Sequence, residues 1–538
     1  MTFFDAFKHY IVKHKQVAAY KPTSEDYDPK QLKDIITKLP FELVKQVTAE
    51  DLIRIEDFIT VSTITHHQFK GFYAALAERL VNFNMKGKDI IEYFIAILNN
   101  NQKTVDVKLQ EASKKMPKGY YFLQDMANQR FQGFGGAMIS VKGGMESSTD
   151  SVGLICNYLR HRQEDDFSNV DADPNLFAAN VLDIFMMANE MATFKHSYDD
   201  MLYDHTYVKV NKYSQQIVFD YDNYQNEKLK AVGHNILSDH IMHVASRNRE
   251  QGKKSELESY VQFYRVKRTK IQDGFITLEF GQGEPKQYRH LSKATQAAID
   301  AYFEYQDVNM TLESLNGISL LEVLGVWTAL QYLCSETLEQ YHPNYTVIRT
   351  KEEMAQIPRK MRVDDLTAYL VKLTGMKTHR VKLVLQAMEA DWNAFNYIWT
   401  LPLYKIRDYY CLPFFPIIHS MPYNLIENLM QRGGYDLKKR GKVFEQYVYK
   451  QISEAEHRFP VNCVAARRYG SKKEEIDLLV SLRDIVILAE AKCIHYSMEP
   501  QNYGDVWERL TEGAEQALKK TDYVKTHSEQ FLELGNVS

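Results

Sequence analysis

Apolar residues recur at helical spacing along most of the chain, and the exceptions divide it. From residue 1 to about 125 the pattern is helical. Thr48-Ala-Glu-Asp51 has the form of a capping box, and a periodic segment follows it to Leu80. Residues 126–150 hold Gly133, Gly135, Gly136, Gly143 and Gly144, which predicts a loop or boundary. Helical spacing returns from about 174 to 203. Residues 205–221 and 258–281 carry β-forming runs instead. In the second, Val261-Gln-Phe-Tyr-Arg-Val266 and Phe275-Ile-Thr-Leu-Glu-Phe280 flank Asp273-Gly274, a hairpin signal with a turn segment longer than two residues.

Helices are expected again from about 290 to 341, with a strongly apolar one starting near Ser319. Two more flank Thr374-Gly375-Met376 within 363–391. Over 364–390 they admit a helix-turn-helix, in which His379, Arg380 and Lys382 would meet a nucleic-acid backbone; a plain helical hairpin is the simpler reading. Pro402, Pro413 and Pro416 make 400–417 extended or looped. Gly433-Gly434 marks a linker, and from about 435 the pattern becomes helix, three strands (Asn462–Arg468, Glu475–Leu482, Ile485–Lys492) and a helix from Asp505 to about Lys525. The expected architecture is multidomain. A helical domain occupies 1–125, and a mixed, mainly helical region with a small β element occupies 126–430. An α/β domain occupies 431–538.

Length supports that division, because 538 residues exceed what one hydrophobic core of roughly 250–300 residues organises. The chain is 45% hydrophobic and 25% charged, as globular proteins are. A net charge of -4 means that nucleic-acid binding would need a local basic surface. Five widely spaced cysteines without a C-x-x-C pair read as reduced thiols, which places the protein in the cytoplasm. The N-terminal stretch meets charge too early for a signal peptide, and no apolar run is long enough for a membrane span. His234, His240 and His243 lack an acidic or Cys partner for zinc, and Gly133-Phe-Gly-Gly136 lacks the Lys-Ser/Thr of a phosphate loop.

The chemistry concentrates in two apolar runs, Ile476–Leu482 and Ile485–Ala491, broken by Arg483-Asp484. A hairpin turning between Arg483 and Asp484 sets Asp477 opposite Glu490, and Glu475 opposite Lys492. Opposed residues point to one side, with Cβ atoms about 4.5–5.5 Å apart. Two carboxylates and an ammonium therefore share a cluster. Opposed like charges destabilise a sheet unless something neutralises them, and a hard divalent cation does so. A surface hairpin with one charged face is the ordinary alternative. Against it, Glu490-Ala-Lys492 ends a run that reads as a central buried strand, where charges need a purpose.

Glu475-Ile-Asp477-Leu-Leu-Val, with Glu490-Ala-Lys492 thirteen residues beyond Asp477, resembles the PD-(D/E)XK nuclease superfamily in its RecB-like and Mrr-like branches. Upstream, Arg440-Gly-Lys-Val-Phe-Glu445 is similar to that family's first core helix, and Glu445, Val448 and Ile452 share one helical stripe. The resemblance covers about 440–525 and implies an αβββα restriction-endonuclease-like core. It implies Mg²⁺ or Mn²⁺ held by Asp477, Glu490 and Glu445, with Lys492 assisting the attacking water. RecB-like members carry a Gln-x-x-x-Tyr pair on the following helix. Here Lys520 stands four residues after Gln516 and Tyr523 seven after it, all near one face, as candidate substrate contacts. The family's fourth strand is not evident in Ser528–Ser538.

Basic residues bracket this core. Arg432, Lys438, Lys439, Arg440 and Lys442 precede it, while Arg467, Arg468, Lys472 and Lys473 stand before Asp477 as a candidate phosphate-tracking rim. The expected function is a metal-dependent endonuclease on DNA in bacterial restriction, anti-phage defence or repair. The N-terminal region would be its sensor or targeting module, through an activating partner or homo-oligomer. The rivals are an RNA nuclease and a non-catalytic nucleic-acid-binding or scaffold protein with a nuclease-like fold.

Overall fold

A computed structural model describes the chain outside residues 1, 15, 115–129, 133–137, 169–172, 174–175, 204–206, 212–215, 221–238, 253–254, 343–347, 349, 393–396, 455–460, 470–473, 483–484, 495–499, 530 and 532–538. Among these described residues it is mostly helical, with small sheets that form no closed barrel. The chain forms two compact units. One comprises Met1–Ala301 and Thr311–Leu429, the other Tyr302–Met310 and Met430–Ser538.

The longer elements of the first unit begin with α1 (Phe3–Lys13), α2 (Ala49–Leu80), α3 (Gly87–Lys114), α4 (Val141–Leu159) and α5 (Phe177–Tyr203). Thr48 and Asp51 do form the capping box of α2, satisfying two otherwise orphaned backbone N–H groups. Helix α4 corrects the loop expected over 126–150. Gly143 and Gly144 lie inside it, at a cost of about 1 kcal/mol each relative to Ala. Burial of Met145, Val152, Ile155, Cys156 and Leu159 along one helical face offsets that cost. The division expected at 125, and Gly133–Gly136, lie outside the described residues, and one core joins side chains from Phe69 to Phe415 across them.

A short ribbon, β1 (Tyr207–Val210) with β2 (Ile217–Asp220), comes next. The longer hairpin follows as β3 (Tyr264–Gln272) and β4 (Phe275–Gln282). Gln272 pairs with Phe275, so the turn is Asp273-Gly274 alone, shorter than expected. Both turn residues have positive φ, 51° and 75°, as a type I′ turn demands. Gly274 has a second reason: a Cβ there would stand 2.2 Å from Arg359 Nη1. Of the three histidines, His234 lies outside the described residues; His240 and His243 are exposed on a helical stretch, 239–250.

Helices α6 (Lys286–Phe303) and α7 (Leu320–Gln340), strand β5 (Lys360–Arg362), helices α8 (Val363–Thr374) and α9 (Thr378–Ala387), and the hairpin β6 (Tyr404–Ile406)–β7 (Tyr409–Cys411) follow. They complete a five-stranded sheet in the order β6-β7-β5-β4-β3, with only β5–β4 parallel. Helices α8 and α9 are the expected pair around Gly375, which ends α8 at φ 71°. Arg380, a candidate backbone contact, is instead tied to the fold: its Nε donates to Glu322 Oε1 at 2.7 Å and its Nη2 to the Gly317 carbonyl at 2.9 Å. Lys382 Nζ lies 3.3 Å from Asp364 Oδ1, and His379 is exposed. The stretch expected to be extended or looped over 400–417 does hold the extended strands β6 and β7, but after Pro413 it turns into a short helix, Phe414–His419.

Where β5 meets β4 and β7, one acid is buried between two bases. Glu92, on α3, accepts from Arg359 Nη2 at 3.2 Å, Lys360 Nζ at 2.9 Å and the Tyr409 hydroxyl at 3.2 Å. Burial would raise its carboxyl, but the Arg359 and Lys360 charges outweigh burial and hold it below the ordinary carboxylate range. A depressed acid contributes stability that is present above its unfolded value, about pH 4.3, and is lost as pH falls through the folded value. Glu92→Gln leaves two buried cations without a counter-charge. It is expected to cost about 3–5 kcal/mol in denaturant unfolding at pH 7 and to flatten the acid limb of stability against pH.

Candidate active site

The second unit is entered through α10 (Pro422–Arg432), which ends in a Schellman motif. Tyr435 N–H donates to Met430 O at 3.0 Å and Gly434, at φ 79°, donates to Gln431 O, so Gly433-Gly434 closes a helix. Then come α11 (Leu437–Glu454), β8 (Val461–Tyr469), β9 (Glu474–Leu482), β10 (Ile485–Ala489) and α12 (Pro500–Thr526). Among the described residues the sheet has three antiparallel strands with β9 central, and residues 532–538, where a fourth was sought, lie outside them. Leu478 and Leu479 are each 2% exposed. Consecutive side chains point to opposite faces, so β9 is covered on both sides. Helix α11 packs on β8 and β9, and α12 on β10.

Leu482 pairs with Ile485 and Leu478 with Ala489, the register expected from Arg483-Asp484. Among the described residues β10 is an edge strand with Ile485 and Ile487 exposed, correcting the expected central buried strand, and it stops at Ala489, just before Glu490, correcting the expected end at Lys492. Past Ala489, the Asp477 side chain takes over from the ladder: its Oδ2 accepts Ala491 N–H at 3.0 Å. Glu490 therefore leaves the strand opposite Asp477. Lys492 Nζ lies 3.5 Å from Glu490 Oε2 and donates to Gln516 Oε1 at 2.7 Å. Lys520 Nζ donates to Glu490 Oε1. Gln516 and Lys520, one helical turn apart on α12, thus meet Lys492 and Glu490. Gly513, one turn earlier, makes room: a Cβ there would stand 3.1 Å from Lys492 Cε. Gly513 was legible only as a glycine inside a helix, a place where glycine needs a reason.

The electrostatics of the acids reflect crowding. Burial raises the Asp477 carboxyl, and the Glu490 charge raises it further; Ala491 N–H, Lys520 and Lys492 oppose both only in part. Glu445, half-buried on α11, is raised by burial and then by the charges of Asp477 and Glu475. Among the described residues no three His, Cys, Asp or Glu side chains come close enough to hold a metal ion together. Glu445 is thus an electrostatic neighbour of Asp477 and is not brought in as a third ligand. The nearest donor set is the pair Asp477 and Glu490. It suits a hard cation of the Mg²⁺ kind, which takes one or two carboxylates and completes its shell with water and phosphate oxygens. Asp477 Oδ1, which accepts no hydrogen bond among the described residues, is available to such an ion.

Other expected contacts fall elsewhere. Tyr523 stacks on His527 and meets Phe531 edge-on, in the small core with Ile476 and Leu479. Arg467 and Arg468 lie on β8, opposite Ile476 and Glu475, with side chains outside the described set; Lys472 and Lys473 lie outside it entirely. Arg432, Lys439 and Lys442 are exposed, but Arg440 is 5% exposed and donates through Nε to the Tyr305 hydroxyl at 2.8 Å. Tyr305 belongs to a segment that a local reading of the sequence misses. Residues 302–310 join this unit through Tyr305 against Phe444, Tyr447 OH to Glu304 at 2.8 Å, and Gln306 to Tyr435 OH at 3.2 Å. Cys493 Sγ, beside Lys492, lies 3.4 Å from the Tyr305 hydroxyl. The described cysteines 156, 334, 411 and 493 are free thiols. No helix among the described residues is long and apolar enough to cross a membrane.

An acid whose folded value is raised favours the fold only while protonated: its contribution is full below the unfolded value and is lost as pH rises through the folded one. Asp477→Asn keeps an acceptor for Ala491 N–H and removes the crowded charge. The metal-free variant is expected to melt a few degrees above the parent at pH 7, with the difference closing below about pH 4. An unchanged or lower melting temperature at pH 7 would contradict the crowding.

Compared with family models, with curated proteins and with solved structures, the chain matches none, so the site stands on its own residues.

Proposed function

We propose that the second unit is a metal-dependent endonuclease hydrolysing phosphodiester bonds in DNA. The observation that carries this reading is the convergence of Asp477, Glu490 and Lys492 where β9 and β10 part, with Gln516 holding the lysine ammonium. Two crowded carboxylates and an oriented ammonium are what hydrolysis of a charged diester requires: a place for a divalent cation, and a proton-moving or charge-offsetting group beside it. The resemblance of Glu445, Asp477 and Glu490-Ala-Lys492 to the PD-(D/E)XK pattern supports the same reading.

In this proposal Asp477 and Glu490 hold Mg²⁺ or Mn²⁺, and Glu445 adds negative potential behind Asp477. A divalent ion there supplies a water of lowered pKa and offsets charge on the phosphoryl oxygens. Lys492, held as an ammonium by Gln516 Oε1, orients the attacking water and offsets the charge that develops on the phosphate. The Ala491 N–H fixes one oxygen of Asp477, so the carboxylate cannot rotate away. Arg467, Arg468, Lys472 and Lys473 follow the DNA backbone. The large first unit acts as a sensor or targeting module, in a setting of restriction, anti-phage defence or repair; that part rests on analogy with multidomain nucleases.

Purified protein is expected to cut plasmid and linear DNA with Mg²⁺ or Mn²⁺, and not with EDTA. Asp477→Ala and Lys492→Ala are each expected to lower the rate at least about a hundredfold. Preferential cutting of RNA in a parallel competition would move the assignment to an RNA nuclease. Cutting that survives both substitutions would place the active site elsewhere. Metal-independent binding of DNA without cutting would favour a scaffold role.

A further inference from the structure

Glu490 is held in a way that a resident metal ligand is not. Its side chain is 5% exposed, and both of its oxygens face ammonium groups, Oε1 the Lys520 Nζ and Oε2 the Lys492 Nζ at 3.5 Å. The two lysines are not equivalent. Lys492 is 31% exposed and has a second anchor in Gln516. Lys520 is 11% exposed, and Glu490 is its one hydrogen-bond partner among the described residues. A divalent ion of the Mg²⁺ kind sits about 2.0–2.1 Å from its carboxylate oxygen. An ammonium already in contact with that oxygen would lie against the ion, and the two positive charges repel. The Lys520 ammonium and a metal ion therefore compete for Oε1.

We propose that Lys520 is a built-in counter-ion that occupies the metal position on Glu490 in the metal-free protein and must swing out before a divalent cation is bound. The proposal rests on the reading of Asp477 and Glu490 as the metal site. Charge balance then gives it a consequence for regulation. Lys492 and Lys520 face the crowded carboxylates, with Glu445 and Glu475 adding negative charge nearby. When a divalent ion takes Glu490 Oε1, the displaced ammonium, on its four-carbon stem, is left without a partner beside the site. A phosphodiester supplies that partner. Metal and nucleic acid are thus each expected to raise the other's affinity, by linkage, and metal alone is held weakly. The full site is assembled only when substrate is present.

The test is Mn²⁺ binding to the metal-free full-length protein, measured by titration calorimetry without nucleic acid, for the parent, Lys520→Met, Lys520→Gln and Glu490→Gln. Both lysine variants are expected to bind Mn²⁺ roughly tenfold more tightly than the parent, within the usual range of coupling between ligands. Glu490→Gln is expected to bind it at least as much more weakly. The metal-free lysine variants are also expected to melt below the parent and to regain the difference in saturating Mn²⁺, since Glu490 is left buried without its ion pair. Two variants of different polarity guard against one that fails to fold. A short DNA duplex with hydrolysis-resistant phosphorothioate linkages, added to the parent, is expected to tighten Mn²⁺ binding, and to tighten it less in Lys520→Met. Parent and lysine variants that bind Mn²⁺ equally would overturn the counter-ion role while leaving the metal site intact. No Mn²⁺ binding by parent or lysine variants would overturn the metal site, and the counter-ion with it.

Discussion

The second unit turns on one constraint: a carboxylate on a strand covered on both faces, and a second carboxylate just past the end of the neighbouring strand, are crowded together and require positive charge nearby. Leu478 and Leu479 fix β9 in the interior, and Asp477 precedes them. Unpaired, a buried carboxylate costs several kcal/mol. The local structure is arranged around that cost. Strand β10 ends at Ala489, so that Ala491 N–H can turn to Asp477. Helix α12 brings Lys520 to Glu490 and Gln516 to Lys492, and it carries Gly513 where a side chain would crowd the Lys492 stem. The length of the strand, the placement of the helix and the glycine within it answer to the same charges.

Much of this was legible from the sequence, and for physical reasons. The polar break Arg483-Asp484 between two runs of Ile, Val and Leu leaves only one register that keeps both runs in the sheet, and Leu482 does pair with Ile485. The capping box at Thr48 and the αL glycine ending α8 are equally local, and both occur. What alternation does not encode is the point at which a side chain replaces the backbone ladder, so the end of β10 was placed too late. Gly143 and Gly144 concealed α4 because their conformational cost is visible in the sequence, whereas the burial that offsets it depends on distant segments.

Arg440 shows the other limit. In the sequence it is one of a run of basic residues around the start of the core helix, with nothing local to set its burial apart from theirs. Its environment comes from Tyr305, 135 positions away in the chain, which turns it from a surface charge into a buried donor. Tyr305 in turn holds its proton strongly: burial raises the phenol, and the Cys493 contact adds to that, over the opposing Arg440 charge. Lys520 presents the same difficulty in milder form. Its helical face was legible, but its partner Glu490 lies 30 residues earlier on another element.

Glu92 and Glu490 allow a structural acid to be told from a functional one within a single chain. Each is buried, and each faces two cations. The cations of Glu92 are fixed independently of it. Arg359 Nη1 donates to the carbonyls of Met354 and Ile357, and its guanidinium lies 5.2 Å from the Tyr93 ring centre. Lys360 lies over Phe275 and Tyr409 at 4.5 and 5.2 Å. Such partners cannot leave without breaking several other contacts, so Glu92 holds the fold and has no exchangeable place for a ligand. The ammonium of Lys520 is fixed by Glu490 alone among the described residues, at the end of a flexible stem on a helix whose outer face is open to solvent. Burial and charge pairing are alike at the two acids. The number of other bonds holding each cation separates them, and by that measure Glu490 is the one built to exchange its partner.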